Sequence, residues 1–102
     1  MSAPLILAGT LRVPLAHIEA ARPHLEAMAR ASNAEPGCRA YSFAFDVLEP
    51  GMLRIFEVFE SPEARSFHSN SPHMADWRAA CAKFGIGDRD MTRYDVSRTE
   101  KI

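Results

Sequence analysis

The feature that most constrains the fold is a pair of strand-like segments separated by one short turn. The segments are residues 38–48 and 52–60, and Glu49, Pro50 and Gly51 lie between them. Successive side chains of a strand point to opposite faces of the sheet, and in these two segments neither face is polar. Proline followed by glycine is typical of a turn. The pattern therefore predicts a β-hairpin that is covered on both faces.

The residues before the hairpin predict one strand and one helix. Residues 5–13 are apolar and rich in β-forming residues, which is typical of a strand. Pro23 falls within the next segment, and because proline lacks a backbone donor we expect the helix to kink or to start late there. The turn Glu35-Pro36-Gly37 should end the helix. The helical spacing is carried by Leu15, Ile18, Ala21, Leu25, Met28 and Ala29.

Two Ser-Pro pairs follow the hairpin, and each predicts the start of a helix. Ser61 and Ser71 are of the type preferred at the N-cap, and proline suits the first helical position. The second of these helices should end at Gly85, and residues 90–98 predict a last strand. The order β-α-β-β-α-β, with its second helix broken in two, predicts an α+β, ferredoxin-like fold. In such a fold a four-stranded antiparallel sheet carries its helices on one face.

The face of this sheet opposite the helices is also expected to be buried. An antiparallel sheet with one solvated face should alternate between apolar and polar residues, and residues 38–48 and 52–60 do not. We therefore expect a second copy of the chain to pack on this face, most simply as a two-fold symmetric homodimer. A monomer with an apolar surface is the alternative.

Composition limits the classes of partner. The 102 residues suit a single domain, residues 1–102. The chain has 12 basic and 13 acidic residues and no basic cluster, so we expect no nucleic acid partner. Arg12 interrupts the first apolar run, so we expect neither a signal peptide nor a membrane contact. Cys38 and Cys81 are expected to be free thiols, which favours a reducing, cytoplasmic location.

Two histidines in the stretch RSFHSNSPHMADW, residues 65–77, are the first candidates for chemistry. An unperturbed imidazole has a pKa near 6.5, so it can take up or release a proton at neutral pH. His73 lies four residues before Trp77, and His68 lies at the edge of its own inward stripe, so both rings could border the helix–sheet space. Asn70 offers an amide that could orient an imidazole or bind a ligand oxygen. The alternative is that each histidine only hydrogen-bonds the backbone at a helix start.

The spacing of the histidines argues against a metal site. His68 and His73 are five residues apart, so on a continuous helix their side chains would differ by about 140° around the axis. The chain has no H-E-x-x-H motif, and a structural zinc site needs four ligands. We therefore expect no metal ion.

Other polar and aromatic residues have structural interpretations. Glu57 stands between two apolar residues of a predicted strand, where we expect an ion pair with Arg54, Arg93 or Arg39. Tyr41 is expected to be a core or interface aromatic with a hydrogen-bonded hydroxyl. Trp77 is expected in the core, where it could also form a wall for a ligand.

Three stretches resemble the antibiotic biosynthesis monooxygenase family, which includes quinol monooxygenases. They are EPGCRAY (residues 35–41), IFEVFES (residues 55–61) and FHSNSPHM (residues 67–74). The resemblance implies a dimeric α/β barrel and a cofactor-independent monooxygenase that uses neither metal nor flavin. A small phenol or hydroquinone would be deprotonated in an apolar pocket and would then react directly with O2.

The resemblance also implies roles for particular residues. The base would be His68 or His73, the substrate oxygens would be held by Asn70, Tyr41 or Arg93, and the walls would be Phe59 and Trp77. Family members often carry tryptophan where this chain has Phe59, and the first strand lacks the asparagine of the haem-degrading relatives. The alternatives are a non-catalytic, ligand-binding or stress-associated dimer and, third, a haem-degrading monooxygenase.

Overall fold

Four strands and three helices follow one another in the predicted order. The computed structural model describes residues 4–102, so residues 1–3 of the predicted domain lie outside the described part. The strands are β1 (Leu5–Arg12), β2 (Cys38–Phe45), β3 (Met52–Phe59) and β4 (Gly87–Asp95). The helices are α1 (Ile18–Asn33), α2 (Pro62–Ser69) and α3 (Pro72–Phe84), and one turn of 3-10 helix, Leu15–His17, precedes α1. The predicted ferredoxin-like α+β fold is confirmed.

The strands form one antiparallel sheet in the order β2-β3-β1-β4. The register pairs Glu57 with Tyr41 on one side and with Leu7 on the other. Because paired residues point to the same face, these three side chains form a row, and all three are buried beneath the helices. Phe59 lies two residues further along β3 on the same face and is also buried. The sheet thus presents a carboxyl group and two aromatic rings to α2 and α3.

Helix α1 is continuous through Pro23, where the sequence predicts a kink or a late start. The helix begins at Ile18 and runs past Pro23 to Asn33, so it does not start late. The preceding turn is 3-10 rather than α-helical and leaves Leu15 exposed. The rest of the apolar stripe faces the sheet, and its buried members are Ala21, Leu25 and Met28. Burial of each large apolar side chain stabilises the fold by about 1.5–3 kcal/mol.

The outer face of the sheet is apolar at one end, whereas Thr10, Arg54 and Asp90 form a polar row further along it. Phe56 and Tyr94 keep 44% and 51% of their surface exposed at the apolar end, and the register places Ile6, Ala8 and Val58 beside them. The two cysteines, on β2 and α3, are free thiols. Among residues 4–102, no helix is both long and apolar enough to span a bilayer.

One hydroxyl group links α2 to α3. Ser71 Oγ accepts the N–H of Met74 at 3.2 Å, which caps α3, and donates to the carbonyl of His68 at 2.7 Å. Ser61 caps α2 in the same way, accepting the N–H of Ala64 at 3.1 Å. Ser71 therefore both starts one helix and fixes the last turn of the other, which carries His68.

The substitution Ser71→Ala tests this link. Loss of an N-cap hydroxyl costs about 0.5–2 kcal/mol, and Ser71→Ala also removes the hydrogen bond to His68. We expect this variant to lose more free energy of unfolding than Ser61→Ala, as measured by urea denaturation at neutral pH. Ser61 is a matched control because it also precedes proline and caps a helix. Equal losses in the two variants would contradict a special role for Ser71.

Candidate active site

The imidazole of His68 lies in the centre of the space between α2 and the sheet. His68 is 1% exposed and is the buried residue of α2. Its ring centroid lies 5.0 Å from the ring of Phe59 and 5.3 Å from the ring of Tyr41. These aromatic rings and the cap at Ser71 hold the imidazole in one position, and they shield it from bulk water.

Glu35 contacts both histidines. It follows α1 in the Glu35-Pro36-Gly37 turn, yet it is only 6% exposed. Its Oε2 atom accepts a hydrogen bond from Nδ1 of His68 at 2.8 Å and another from Nε2 of His73 at 2.5 Å. A carboxylate that is removed from water needs such donors, because an unpaired buried charge is strongly unfavourable. The end of α1 is thereby tied to both α2 and α3.

The contact with Glu35 determines which nitrogen of His68 can accept a proton. When Nδ1 donates to the carboxylate, Nε2 of the neutral ring carries a free lone pair. Within the described part of the chain, Nε2 is buried and has no hydrogen-bond partner. Burial lowers the pKa of His68, although the hydrogen bond with Glu35 acts in the opposite direction. The ring is therefore neutral at neutral pH and can act as a base at Nε2.

Glu57 is the second titratable group that faces His68. Its Oε1 atom lies 3.8 Å from Nε2 of His68. Burial raises the pKa of Glu57 to about 7, although the positive charges of Arg65 and Arg89 act in the opposite direction. At neutral pH this carboxyl group can therefore both hold and release a proton.

The predicted ion pair of Glu57 with a neighbouring arginine is wrong. The three candidate arginines contact other carboxylates, because their side chains lie among acidic residues at the surface. Arg54 pairs with Asp46, Arg39 with Glu60, and Arg93 with Asp95. Glu57 instead faces the space between the sheet and the helices.

An open cavity of about 480 Å³ lies beside His68. This volume is within the range of small-molecule sites. Tyr41, Trp77, Glu57 and His68 line it together with apolar residues, which include Leu7, Leu11, Ile55, Ile86 and Met91. Burial raises the pKa of Tyr41, so its hydroxyl keeps its proton. The cavity wall thus combines apolar side chains with groups that can transfer a proton.

The structure brings together some of the predicted site residues and separates others. His68, Tyr41 and Trp77 line the cavity, and Phe59 packs against the ring of His68. His73 lies behind Glu35 and does not line the cavity.

Asn70 and Arg93, two of the three residues suggested to hold the substrate oxygens, do not line the cavity. Asn70 ends α2, where its amide donates to the carbonyl of Ser66 at 2.9 Å. Arg93 is held by Asp95 at 3.0 Å. In each case the side chain is hydrogen-bonded to a residue close to it in the sequence.

Sequence reasoning missed Glu35 and the arginines Arg65 and Arg89. Glu35 was read only as part of a turn that ends a helix, and such a residue is usually exposed. Its presence in the stretch EPGCRAY, which carried the family resemblance, was the available signal. No periodic pattern marks a turn residue as buried, so the contact of Glu35 with His68 required the folded structure.

Glu35 and the two histidines that it contacts could also hold a metal ion. Glu35, His68 and His73 offer ligand atoms that all lie within 4.8 Å of one another. The sequence argument against a metal compared only the two histidines and did not foresee this third group. The distances of 2.8 and 2.5 Å from the nitrogens to Oε2 are those of hydrogen bonds. In the structure, hydrogen bonds to Oε2 of Glu35 therefore hold the two histidines next to it.

The chain resembles solved structures over nearly its whole length. A protein from Deinococcus radiodurans, described as a candidate antibiotic biosynthesis monooxygenase, superposes with a TM-score of 0.87 at 26% identity. This match covers 96% of this chain and 97% of that one. Rv0793 from Mycobacterium tuberculosis superposes with a TM-score of 0.76 at 25% identity, covering 97% of this chain and 98% of that one.

Sequence comparison finds two related proteins. Rv0793, whose name describes it as a candidate monooxygenase, is 38% identical over 60 residues, which is 59% of this chain and 58% of that protein. The uncharacterized protein sll1783 from Synechocystis is 28% identical over 99 residues, or 97% of this chain. The matched segments span 58% and 67% of the lengths of these two relatives.

A family-level match agrees with these likenesses. The sequence profile described as antibiotic biosynthesis monooxygenase matches residues 4–80 of the 102. The matched segment runs from β1 into α3 and contains Glu35, Glu57, His68 and His73. The resemblance first noted in three short stretches is thus confirmed. The chain belongs to the antibiotic biosynthesis monooxygenase family.

Proposed function

We propose that this protein is a cofactor-independent monooxygenase that acts on a small phenol or hydroquinone. The observation that carries the proposal is the geometry of His68, whose Nδ1 is held by Glu35 while Nε2 is buried and unpartnered beside the cavity. Membership of the family supports an oxygenase. The apolar and aromatic side chains in the cavity wall support an aromatic substrate.

The reaction starts with proton transfer from the substrate hydroxyl to Nε2 of His68. The imidazolium that forms is stabilised by the Glu35 carboxylate at Nδ1. The aromatic anion is electron-rich and gives one electron to O2, which produces a substrate radical and superoxide. These two species combine at a ring carbon that bears hydrogen, and the new peroxide takes the proton from His68. The imidazole is then neutral again.

Release of water completes the cycle. Ionised Glu57 removes the hydrogen of the oxygenated carbon as a proton, the O–O bond breaks, and hydroxide leaves. The carbon becomes a carbonyl, and protonated Glu57 returns its proton to the hydroxide. One atom of O2 enters the product and the other becomes water, with all four electrons taken from the substrate. Glu57 suits this exchange because burial raises its pKa to about 7.

We also propose that the protein works as a homodimer. The outer face of the sheet carries Phe56 and Tyr94, which are 44% and 51% exposed, beside the half-buried residues Ile6, Ala8 and Val58. Exposed apolar residues that cluster on one face are typical of an interface between copies. This face lies on the opposite side of the sheet from the cavity, so both sites of a dimer would stay accessible.

The dimer is tested by a charge on the outer face. We expect the wild-type protein to have twice the chain mass of 11.3 kDa in sedimentation equilibrium, and Phe56→Lys to have the mass of one chain. Burying an unpaired ammonium group between the sheets would be strongly unfavourable. Phe67→Lys is the matched control, because Phe67 is a 60% exposed phenylalanine on α2. A wild-type monomer, or dissociation in both variants, would overturn the interface.

Catalysis is tested by oxygen uptake with a panel of hydroquinones and naphthols in the presence of a chelator. We expect His68→Ala to lower kcat by about 10²–10⁴, the usual contribution of a general base. His73→Ala should have a smaller effect, because His73 acts only through Glu35. The control is His24→Ala, which removes an exposed histidine of α1. Tight binding of these compounds without oxygen uptake would instead favour the ligand-binding alternative.

Glu57→Gln should lower activity and, above pH 7, raise the free energy of unfolding. Since burial raises the pKa of Glu57 from the usual 4.5 to about 7, folding favours the protonated acid. The stabilisation that Glu57 gains from this pKa shift is fully present below pH 4.5 and is lost as the pH rises through 7. The neutral amide avoids this loss, so above pH 7 we expect the variant to be more stable than the wild type by about 1–3 kcal/mol, and to be less active.

The measurement is chemical denaturation at pH 4.5 and at pH 8.5, together with oxygen uptake. The two proteins should differ little in stability at pH 4.5, where the wild-type carboxyl group is protonated. A variant that is equally destabilised at both pH values would show that Glu57 serves packing rather than proton transfer.

A further inference from the structure

Three arginines line the cavity in addition to the groups already described. Arg65 comes from α2, Arg78 from α3 and Arg89 from β4, so three separate elements each bring a guanidinium group to the same space. We propose that they bind an anionic group, in particular a carboxylate, so that the substrate is a hydroxyaryl carboxylate. The identity of its reacting hydroxyl rests on the function proposed above.

The first argument is the contrast with the other arginines. Six of the ten arginines in the chain pair with a carboxylate, namely Arg12, Arg22, Arg39, Arg54, Arg93 and Arg98. Among residues 4–102, the four without such a pair are Arg30, Arg65, Arg78 and Arg89, and all but Arg30 line the cavity. Most guanidinium groups of the chain are thus paired with a carboxylate, whereas three without such a partner lie together at the cavity.

The second argument is the net charge of the cavity wall. Glu57 is the one carboxyl group among the residues that line it. Three permanent positive charges therefore face at most one negative charge, since a guanidinium group keeps its proton at any physiological pH. An anionic ligand would correct this imbalance, and a neutral phenol would not.

The third argument is an unsatisfied donor. Nε of Arg65 is buried and, within the described residues, has no hydrogen-bond partner. A buried donor without an acceptor is unfavourable, and a ligand carboxylate is a suitable acceptor because it matches the planar fork of a guanidinium group. Arg65 lies three residues before His68 on α2, so the two side chains are neighbours. The anionic group and the reacting hydroxyl can therefore belong to one small aromatic molecule.

The test compares an acid with its neutral ester. The probes are 2,5-dihydroxybenzoate and its methyl ester, titrated into wild-type protein by anaerobic calorimetry, so that binding is measured without turnover. Quenching of Trp77, the single tryptophan of the chain and a cavity residue, reports independently that the probe enters this cavity. We expect the acid to bind at least tenfold more tightly than the ester and its affinity to fall with added salt. This comparison requires no variant.

Variants then assign the effect to the arginines. The double variant Arg65→Met, Arg89→Met should weaken binding of the acid at least tenfold and change binding of the ester less than twofold. Arg30→Met is the matched control, because Arg30 is unpaired but lies on α1 outside the cavity. Equal affinity for acid and ester in the wild type would overturn the inference, as would an equal loss in the Arg30 control.

The outcomes also separate this inference from the proposed function. Preferred binding of the acid, with no oxygen uptake from any hydroquinone, would leave the anion site in place and refute the oxygenase. Oxygen uptake from neutral phenols, with no preference for acids, would support the oxygenase and refute the anion site.

Discussion

The carboxylate of Glu35 is the contact on which the site depends. One oxygen, Oε2, accepts hydrogen bonds from His68 and His73, and so joins the end of α1 to α2 and α3. Burial of a carboxylate is unfavourable unless it is paired, so the fold must supply donors at this point. Both histidines serve that purpose, and the same pairing leaves Nε2 of His68 directed away from Glu35. The packing of the helices and the proposed chemistry therefore both depend on one buried carboxylate.

Burial shifts the pKa values of two neighbouring groups in the cavity wall, His68 and Glu57, in opposite directions. It lowers the pKa of His68 and raises that of Glu57 to about 7. Desolvation disfavours the charged form in each case, which is a cation for histidine and an anion for glutamate. A neutral imidazole thus stands beside a carboxyl group that is close to half-protonated at neutral pH. The apolar and aromatic surroundings that stabilise the fold also set this balance.

The sequence predicted the fold well because the fold follows from local patterns. The apolar segments of β2 and β3 with the Pro-Gly turn between them, and the Ser-Pro caps at Ser61 and Ser71, each depend on near neighbours in the chain. The site depends on distant contacts, and there prediction was incomplete. Glu35 lies 33 residues before His68, and no spacing rule connects a turn to a helix end. Asn70 lies in the connection between α2 and α3, and its amide bonds the backbone of α2.

The central claim is that Glu35 holds His68 as a neutral imidazole with its proton on Nδ1 and its lone pair on Nε2. Nitrogen-15 NMR of the imidazole, recorded through pH 7, measures both the protonation state and the tautomer directly. The account predicts a neutral Nδ1–H tautomer at pH 7, a pKa of His68 below 6.5, and loss of the tautomer preference in Glu35→Leu, which has no acceptor for Nδ1–H. An imidazolium at pH 7, or a proton on Nε2 in the wild-type protein, would contradict it.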